Sequence, residues 1–442
     1  MANLLDKASI ILTPTAYSDG KMHSAKPIVS TNPSIGDFDF ARASVATRIN
    51  EQGLLEEVAS GLPRIDYTDG SGSWLLEPAS TNLITQSEDF SNAYWTKDGS
   101  SVTGGFTSPK GDLSAFKLVE GNANSKHYIP AVNTNTSGYV TQSIYAKYLS
   151  RYLRLTIHDA GNVNKWYSVI YDLENGTIYN SLAKTITVFG SKIEKMANGY
   201  YRCVITADLG ASSTTSFYIQ LSNGASILST DDRGRGSYQG DGTSGLYIFG
   251  AQAEENSYAT SYIKTVGTAQ TRVADTATGS GNSTVINSTE GTLYAEIKGF
   301  ENDLSGRYIS LSDGTANNSI RIYYYSDGGT VFFRKNVNSV DVITSSTNTI
   351  NQSSLTKIAV RYDSTSFDIF SNGVKLITNS NSDAFTSPLN DISFNNSGSS
   401  TFYGKTKSLQ VYTTALTDIE IEKITSWTSF TAMANALNYT II

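Results

Sequence analysis

Short runs in which apolar and polar residues alternate follow one another through most of this chain. They include Val140–Tyr148, Tyr152–His158, Trp166–Asp172, Lys184–Ile193, Tyr200–Ala207, Thr215–Leu221, Arg307–Ser312, Ser319–Tyr325, Thr356–Tyr362, Ser366–Ser371 and Gly404–Tyr412. A period of two sends successive side chains to opposite faces of a strand, so each run predicts a half-buried β-strand. Turn formers separate the runs, at Asp159-Ala160-Gly161, Glu174-Asn175-Gly176, Ala197-Asn198-Gly199 and Ser371-Asn372-Gly373. The last predicts a hairpin, because Asn-Gly accepts the positive φ of a type I′ turn. Charged residues make up only 17% of the 442, against 27 Tyr and 36 Gly, which does not suit long helices.

The predicted fold is all-β: tandem antiparallel β-sandwiches of the jelly-roll kind, after an irregular N-terminal attachment segment. Residues 1–85 show few alternating pieces and no self-sufficient core, and are expected to attach or oligomerise. Residues 86–272 carry about eight strand candidates, enough for one two-sheet sandwich. Its last strand is Leu246-Tyr247-Ile248-Phe249, and a polar spacer from Val266 to Ser283 reads as a hinge. Residues 273–442 carry the second sandwich. Thr417 and Glu420 form a capping-box pattern, which predicts a short helix there, and Trp427–Ile442 reads as a further short helix and an extended end that dock on a neighbour.

Three stretches carry a resemblance. Phe38–Tyr67 reads FDFARASVATRINEQGLLEEVASGLPRIDY, and Leu75–Ile84 reads LLEPASTNLI. Both resemble the N-terminal module of bacteriophage tail and appendage proteins. The stretch LYIFGAQAEENSYATSYI, with Thr271-Arg272-Val273-Ala274-Asp275 after it, resembles the closing strand of carbohydrate-binding-module-like domains in phage appendages. KIAVRYD, FDIFSNG and LQVYTTALTDIEI resemble concanavalin-like (laminin-G-like) lectin sandwiches.

The resemblance implies a structural and adhesive virion appendage of a tailed phage, a tail fibre or related tail protein. Its implied partners are other virion proteins, further copies of itself (a homotrimer) and host-surface polysaccharide. A head fibre that decorates the capsid is the nearest alternative. The N-terminus, MANLLDKASI, lacks the pattern of a signal peptide, and no apolar run approaches the ~20 residues that cross a bilayer. The expectation is therefore a protein assembled in a host cytoplasm into the virion, without membrane insertion. A net charge of −7 with no basic stripe argues against a nucleic-acid partner.

Enzyme chemistry has little support, and no activity is expected. His23, His127 and His158 stand far apart, outside metal-binding spacing. The acidic pairs Glu56-Glu57, Asp231-Asp232 and Glu254-Glu255 point to opposite faces if they lie in strands. A polysaccharide depolymerase stands as the enzyme alternative that the phage resemblance implies; phage depolymerases are usually large parallel β-helices, and no repeat of that kind is found in this sequence. No cofactor is expected, although the lectin resemblance leaves calcium open, with Asp313, Asp327 and Asp363 in turns. Glycan binding needs aromatic faces beside hydroxyl-reading polar groups. The candidates are Trp95, Tyr148, Tyr152, Trp166 and Tyr167 in the middle region, and Tyr308 with Tyr323-Tyr324-Tyr325 in the last. The lone Cys203, in an apolar run, is expected to be a buried structural thiol.

Overall fold

A computed structural model describes residues 4–27, 35–211, 213–224, 231, 233–301 and 303–427. The protein is nearly all β, in several antiparallel sheets. It divides into two compact units. The first comprises Met1–Ser44, Val58–Pro78 and Ala274–Ile442, and the second Val45–Glu57 and Ala79–Val273.

The second unit is a two-sheet sandwich. One sheet runs in the order Thr187–Lys195, Tyr200–Asp208, Tyr139–Tyr148, Gly245–Glu254, Ala115–Glu120, Ser100–Phe106. The other runs Tyr128–Thr136, Ser213–Ser222, Tyr152–Asp159, Trp166–Asp172, Thr177–Lys184. Alternate residues of each strand, such as Ile144, Leu155, Val169, Ile205 and Ile248, fill the space between. Cys203 lies in this core, and burial pushes its thiol well up, as expected of an inert structural cysteine.

The first unit opposes a large sheet to a five-stranded one. The smaller sheet is Val340–Thr347, Val331–Val337, Ser319–Tyr324, Arg307–Ser312, Asp391–Ser393. Asn372 and Gly373 both have positive φ (49° and 83°), so the predicted hairpin turn forms. Helix Asp418–Thr425 begins on Thr417, whose hydroxyl accepts from Glu420 N while Glu420 Oε2 accepts from Thr417 N, the predicted capping box. Ile421 then buries against Ala8, Ile11 and Tyr412. The segment expected at the C-terminus falls, from residue 428 on, outside the described residues.

Three expectations change. Residues 1–85 are not a separate irregular segment. Ala8–Ser18 pairs with Gly404–Tyr412, Ser73–Leu76 pairs with the same strand further along, and Leu12, Met22, Phe38, Trp74 and Leu76 enter the first unit's core. A segment with little alternation of its own is thus completed by strands nearly 400 residues away. The spacer from Val266 is not all loop: Gln270–Arg272 pairs with Ser80–Asn82, and Thr276–Thr278 pairs with Phe38–Ala41. The strand expected at Lys184–Ile193 forms at Thr187–Lys195, and before it, across the positive φ of Thr185 (48°), lies a strand that alternation did not predict, Thr177–Lys184.

The motif blocks around Arg42 and Asn82 become buried polar clasps. In the first unit Arg42, Arg64, Glu77 and Asp275 meet away from water. Arg64 Nη1 lies 2.6 Å from Glu77 Oε2, Arg64 Nη2 holds Asp275, and Arg42 Nη1 lies 3.1 Å from Asp275 Oδ1. Burial works against the Arg64 charge, and the two carboxylates more than reverse it, so its value is raised. In the second unit Asn82 and Glu254 play the corresponding part; Glu254 accepts from Ser80 Oγ at 2.6 Å and Gln252 Nε2 at 2.7 Å.

Candidate functional site

The five aromatics expected to bind glycan in the second unit separate. Trp95 is core: its ring lies 5.0 Å from that of Phe90, and its Nε1 donates to Gln86 O at 2.8 Å. Tyr167 also faces the core. Both are therefore corrected from surface candidates to packing residues. Trp166, one residue away, turns to the opposite face by the alternation of its strand. There it is only 4% exposed, because Gly234 lies on its ring: a Cβ at Gly234 would stand 2.5 Å from Trp166 Cε3. Trp166 is covered, with no open ring face for a sugar. Tyr148 and Tyr152 remain half-buried. They meet at one end of the sandwich, where partial burial and then the Glu174 carboxylate push the Tyr148 phenol up. Tyr179, not among the expected residues, joins them with its ring 5.0 Å from that of Tyr152.

The face that covers Trp166 also holds His158, its partner across the strand pair. Neither ring nitrogen of His158 has a hydrogen-bond partner among the described residues. Burial, then the positive charges of Arg233 and Arg235, pull it down to about 4. The unfolded chain protonates near 6.5, whereas the folded chain stays neutral down to about 4. Its stability contribution is therefore complete above pH 6.5 and is lost as the pH falls toward 4. His158→Gln should flatten this slope by on the order of 1–3 kcal/mol, read from urea midpoints at pH 7 and pH 4.5. An unchanged slope would refute the assignment. The other two histidines are held in hydrogen bonds: His23 Nδ1 with Asp37 Oδ2 at 2.8 Å, and His127 Nδ1 with Gly99 O at 2.6 Å.

The better candidate lies in the first unit, on the outer face of the five-stranded sheet. Strands Arg307–Ser312, Ser319–Tyr324 and Val331–Val337 are neighbours, and their register sets Tyr308 opposite Tyr323 and Tyr323 opposite Phe332. The alternate residues Ile309, Ile322, Tyr324 and Phe333 enter the core, so the first three rings must form a row on the outside. Tyr308 and Tyr323 stack at 4.0 Å and 6°, and Phe332 follows at 5.8 Å and 27°. Tyr325 stands edge-on to both Tyr323 (5.7 Å) and Phe332 (5.4 Å) and is 39% exposed. Gly306 makes room: a Cβ there would come within 2.8 Å of the Tyr323 ring. Burial, then the hydrogen bond to Tyr323, pushes the Tyr308 phenol to about 12.

The next row holds Arg321 and Arg334, opposite one another in register. The Arg334 guanidinium lies 5.1 Å from the ring centres of both Tyr323 and Phe332. The stack fixes it where it can donate to a ligand lying on the rings. Tyr308, Tyr323 and Tyr325 were visible in the sequence; Phe332 and Arg334 were missed, and only their register with Tyr323 and Arg321 selects them.

The turn aspartates weighed for calcium are occupied locally. Asp313 Oδ1 accepts from Thr315 N at 3.0 Å, Asp327 Oδ1 from Thr330 N at 2.8 Å, and Asp363 Oδ1 from Thr365 N at 2.7 Å. Among the described residues no three His, Cys, Asp or Glu side chains form a metal-binding group, and no helix is long and apolar enough to cross a membrane.

Residues 272–422 match the family described as Laminin_G_3, the Concanavalin A-like lectin/glucanases superfamily. The aromatic row therefore sits in a lectin-like domain, and the concanavalin-like expectation for this part of the chain is met. No curated relative matches the chain. Among solved structures, the CBM40 of a Ruminococcus gnavus IT-sialidase bound to alpha2,3 sialyllactose aligns with 34% of this chain and 94% of its own, at 20% identity and a TM-score of 0.29. Domain 4 of AbnA, a GH43 extracellular arabinanase from Geobacillus stearothermophilus, in complex with arabinotriose, aligns with 35% and 73%, at 14% identity and a TM-score of 0.28. A SAP-like pentraxin from Limulus polyphemus aligns with 32% and 71%, at 17% identity and a TM-score of 0.27. These partial likenesses carry no part of the functional reading below.

Proposed function

We propose that the protein is a non-catalytic, glycan-binding appendage of a tailed-phage virion, and that its lectin-like domain engages host-surface polysaccharide through Tyr308, Phe332 and Tyr325, with Tyr323 stacked between Tyr308 and Phe332 as their support. The observation that carries the glycan reading is the ring row itself, which leaves aromatic surface on the outside of a sheet rather than in its core. Aromatic faces receive the C–H side of a pyranose ring, and flanking polar groups read its hydroxyls. The virion reading rests on the motif blocks around Arg42, Arg64, Glu77 and Asn82. Several copies on one particle would turn weak single-site binding into firm attachment.

Phe332→Ala and Tyr325→Ala should each weaken binding of the full chain to host-envelope polysaccharide about tenfold, as loss of an anchoring ring does at other interfaces. Isothermal titration or affinity electrophoresis reads this directly. Undiminished binding in both variants would remove the ring row from the site. Immunogold labelling of purified particles tests the virion assignment, and unlabelled particles would refute it.

A further inference from the structure

Beside the ring row, two guanidinium groups share one carboxylate, and share it poorly. Arg334 Nη1 lies 3.3 Å from Asp341 Oδ2, and Arg321 Nη2 lies 3.5 Å from Asp341 Oδ1. Asp341 Oδ1 is already taken by Asn336 Nδ2 at 2.9 Å. Elsewhere in this protein arginine finds much closer carboxylates: Arg307 Nε meets Asp303 at 2.6 Å, and Arg151 meets both oxygens of Glu120 at 2.8 Å. Charge-assisted pairs normally lie at about 2.7–2.9 Å. The Arg321–Arg334 pair is therefore under-neutralised.

Two more polar atoms of the same rows lack partners among the described residues. Arg334 Nε is buried without a hydrogen-bond partner, and so is Asn336 Oδ1, although Asn336 is only 6% exposed. Arg321 spends its Nε on Ser319 Oγ at 2.8 Å, and burial pulls its guanidinium down more than Asp341 restores it. The other carboxylate on this sheet face, Asp391, lies at the far edge beside Ser312 and is taken by Ser393. What the site lacks is an anionic acceptor for the guanidinium pair. Buried polar groups left without partners cost about 1–3 kcal/mol each. An anionic occupant is thus favoured over a neutral one.

We propose that this face selects an acidic glycan: the sugar ring lies against Phe332 and Tyr325, and its carboxylate meets Arg334, with the Arg321 guanidinium behind it. A chain of net charge −7 would otherwise repel an acidic polysaccharide, so the local pair must overcome the field of the whole. This inference rests on the ring row being the glycan site and adds the ligand class.

The test uses the full chain with polygalacturonate, alginate and hyaluronate, each paired with its carboxyl-reduced derivative, and with sulfated dextran as a general polyanion. At least one acidic form should bind about tenfold tighter than its reduced partner. Sulfated dextran should bind more weakly than that acidic form, because its charges are not placed to meet Arg334 while a sugar ring lies on Phe332. Arg334→Gln should erase the difference between acidic and reduced forms, and Arg334→Lys should restore it only in part. Equal binding of acidic and reduced forms overturns the carboxylate assignment but leaves the ring row as a glycan site. Equal or tighter binding of sulfated dextran overturns it too, as mere charge attraction. Failure of every glycan, acidic or reduced, overturns both readings. The comparison of acidic and reduced sugars needs no variant, so a misfolded Arg334→Gln protein would not spare the inference.

Discussion

Asp275→Ala should lower the stability of the first unit by about 3–5 kcal/mol. Asp275 is fully buried, and each of its oxygens faces an arginine: Oδ1 faces Arg42 and Oδ2 faces Arg64. Oδ2 also accepts from Glu77 N at 2.8 Å, while Asp275 N donates to Glu77 O at 2.9 Å. The four side chains balance, two positive and two negative. Removing one carboxylate leaves a positive charge buried with no counter-charge, which costs far more than the intact pair contributes. Asp275→Asn keeps the shape and some hydrogen bonding but not the charge, so it should recover only a minor share. Urea denaturation with separate fluorescence and hydrogen-exchange readouts would place the loss in the first unit. A shift below about 1 kcal/mol would show that the arginines find water or another partner, and would end the clasp assignment.

Asn82→Ala should cost the second unit about 2–4 kcal/mol without involving any charge. Asn82 is fully buried, and its side chain makes four main-chain hydrogen bonds. Nδ2 donates to Ala251 O at 3.1 Å and Ile263 O at 2.8 Å; Oδ1 accepts from Ile84 N and Ala253 N, both at 3.1 Å. Alanine would strand two amides and two carbonyls in a dry interior. Asn82→Asp should not rescue it, because a carboxylate would face two carbonyl oxygens. Hydrogen exchange at the Ile84 and Ala253 amides should quicken first. Unchanged protection there would mean the segment is held by packing alone. The two variants together also test the division into units, since each should move a different unfolding transition.

Several elements were legible because they depend only on neighbouring residues. The alternation of Tyr152–Asp159 and Trp166–Asp172 shows as strands, and Asn372-Gly373 and Thr417–Glu420 form the turn and cap their chemistry predicts. The edge strand Thr177–Lys184 was missed because a strand at a sheet edge has less surface to bury and shows a weaker pattern. The site was legible only in part. Alternation says that Trp166 and Tyr167 face opposite ways, but not which way the core lies, nor that Gly234 would cover the one that faces out.

The sequence by itself determined the class of this protein: strands, tight turns and a capped helix. Local periodicity and turn chemistry act over a few residues, so they can be read there. Tertiary structure alone decided that Ala8–Ser18 joins the sheet beside Gly404–Tyr412. It alone brought Arg42, Arg64, Glu77 and Asp275 together, and set Phe332 and Arg334 beside Tyr323. Those outcomes depend on strand order and register across long loops, and no local pattern encodes them.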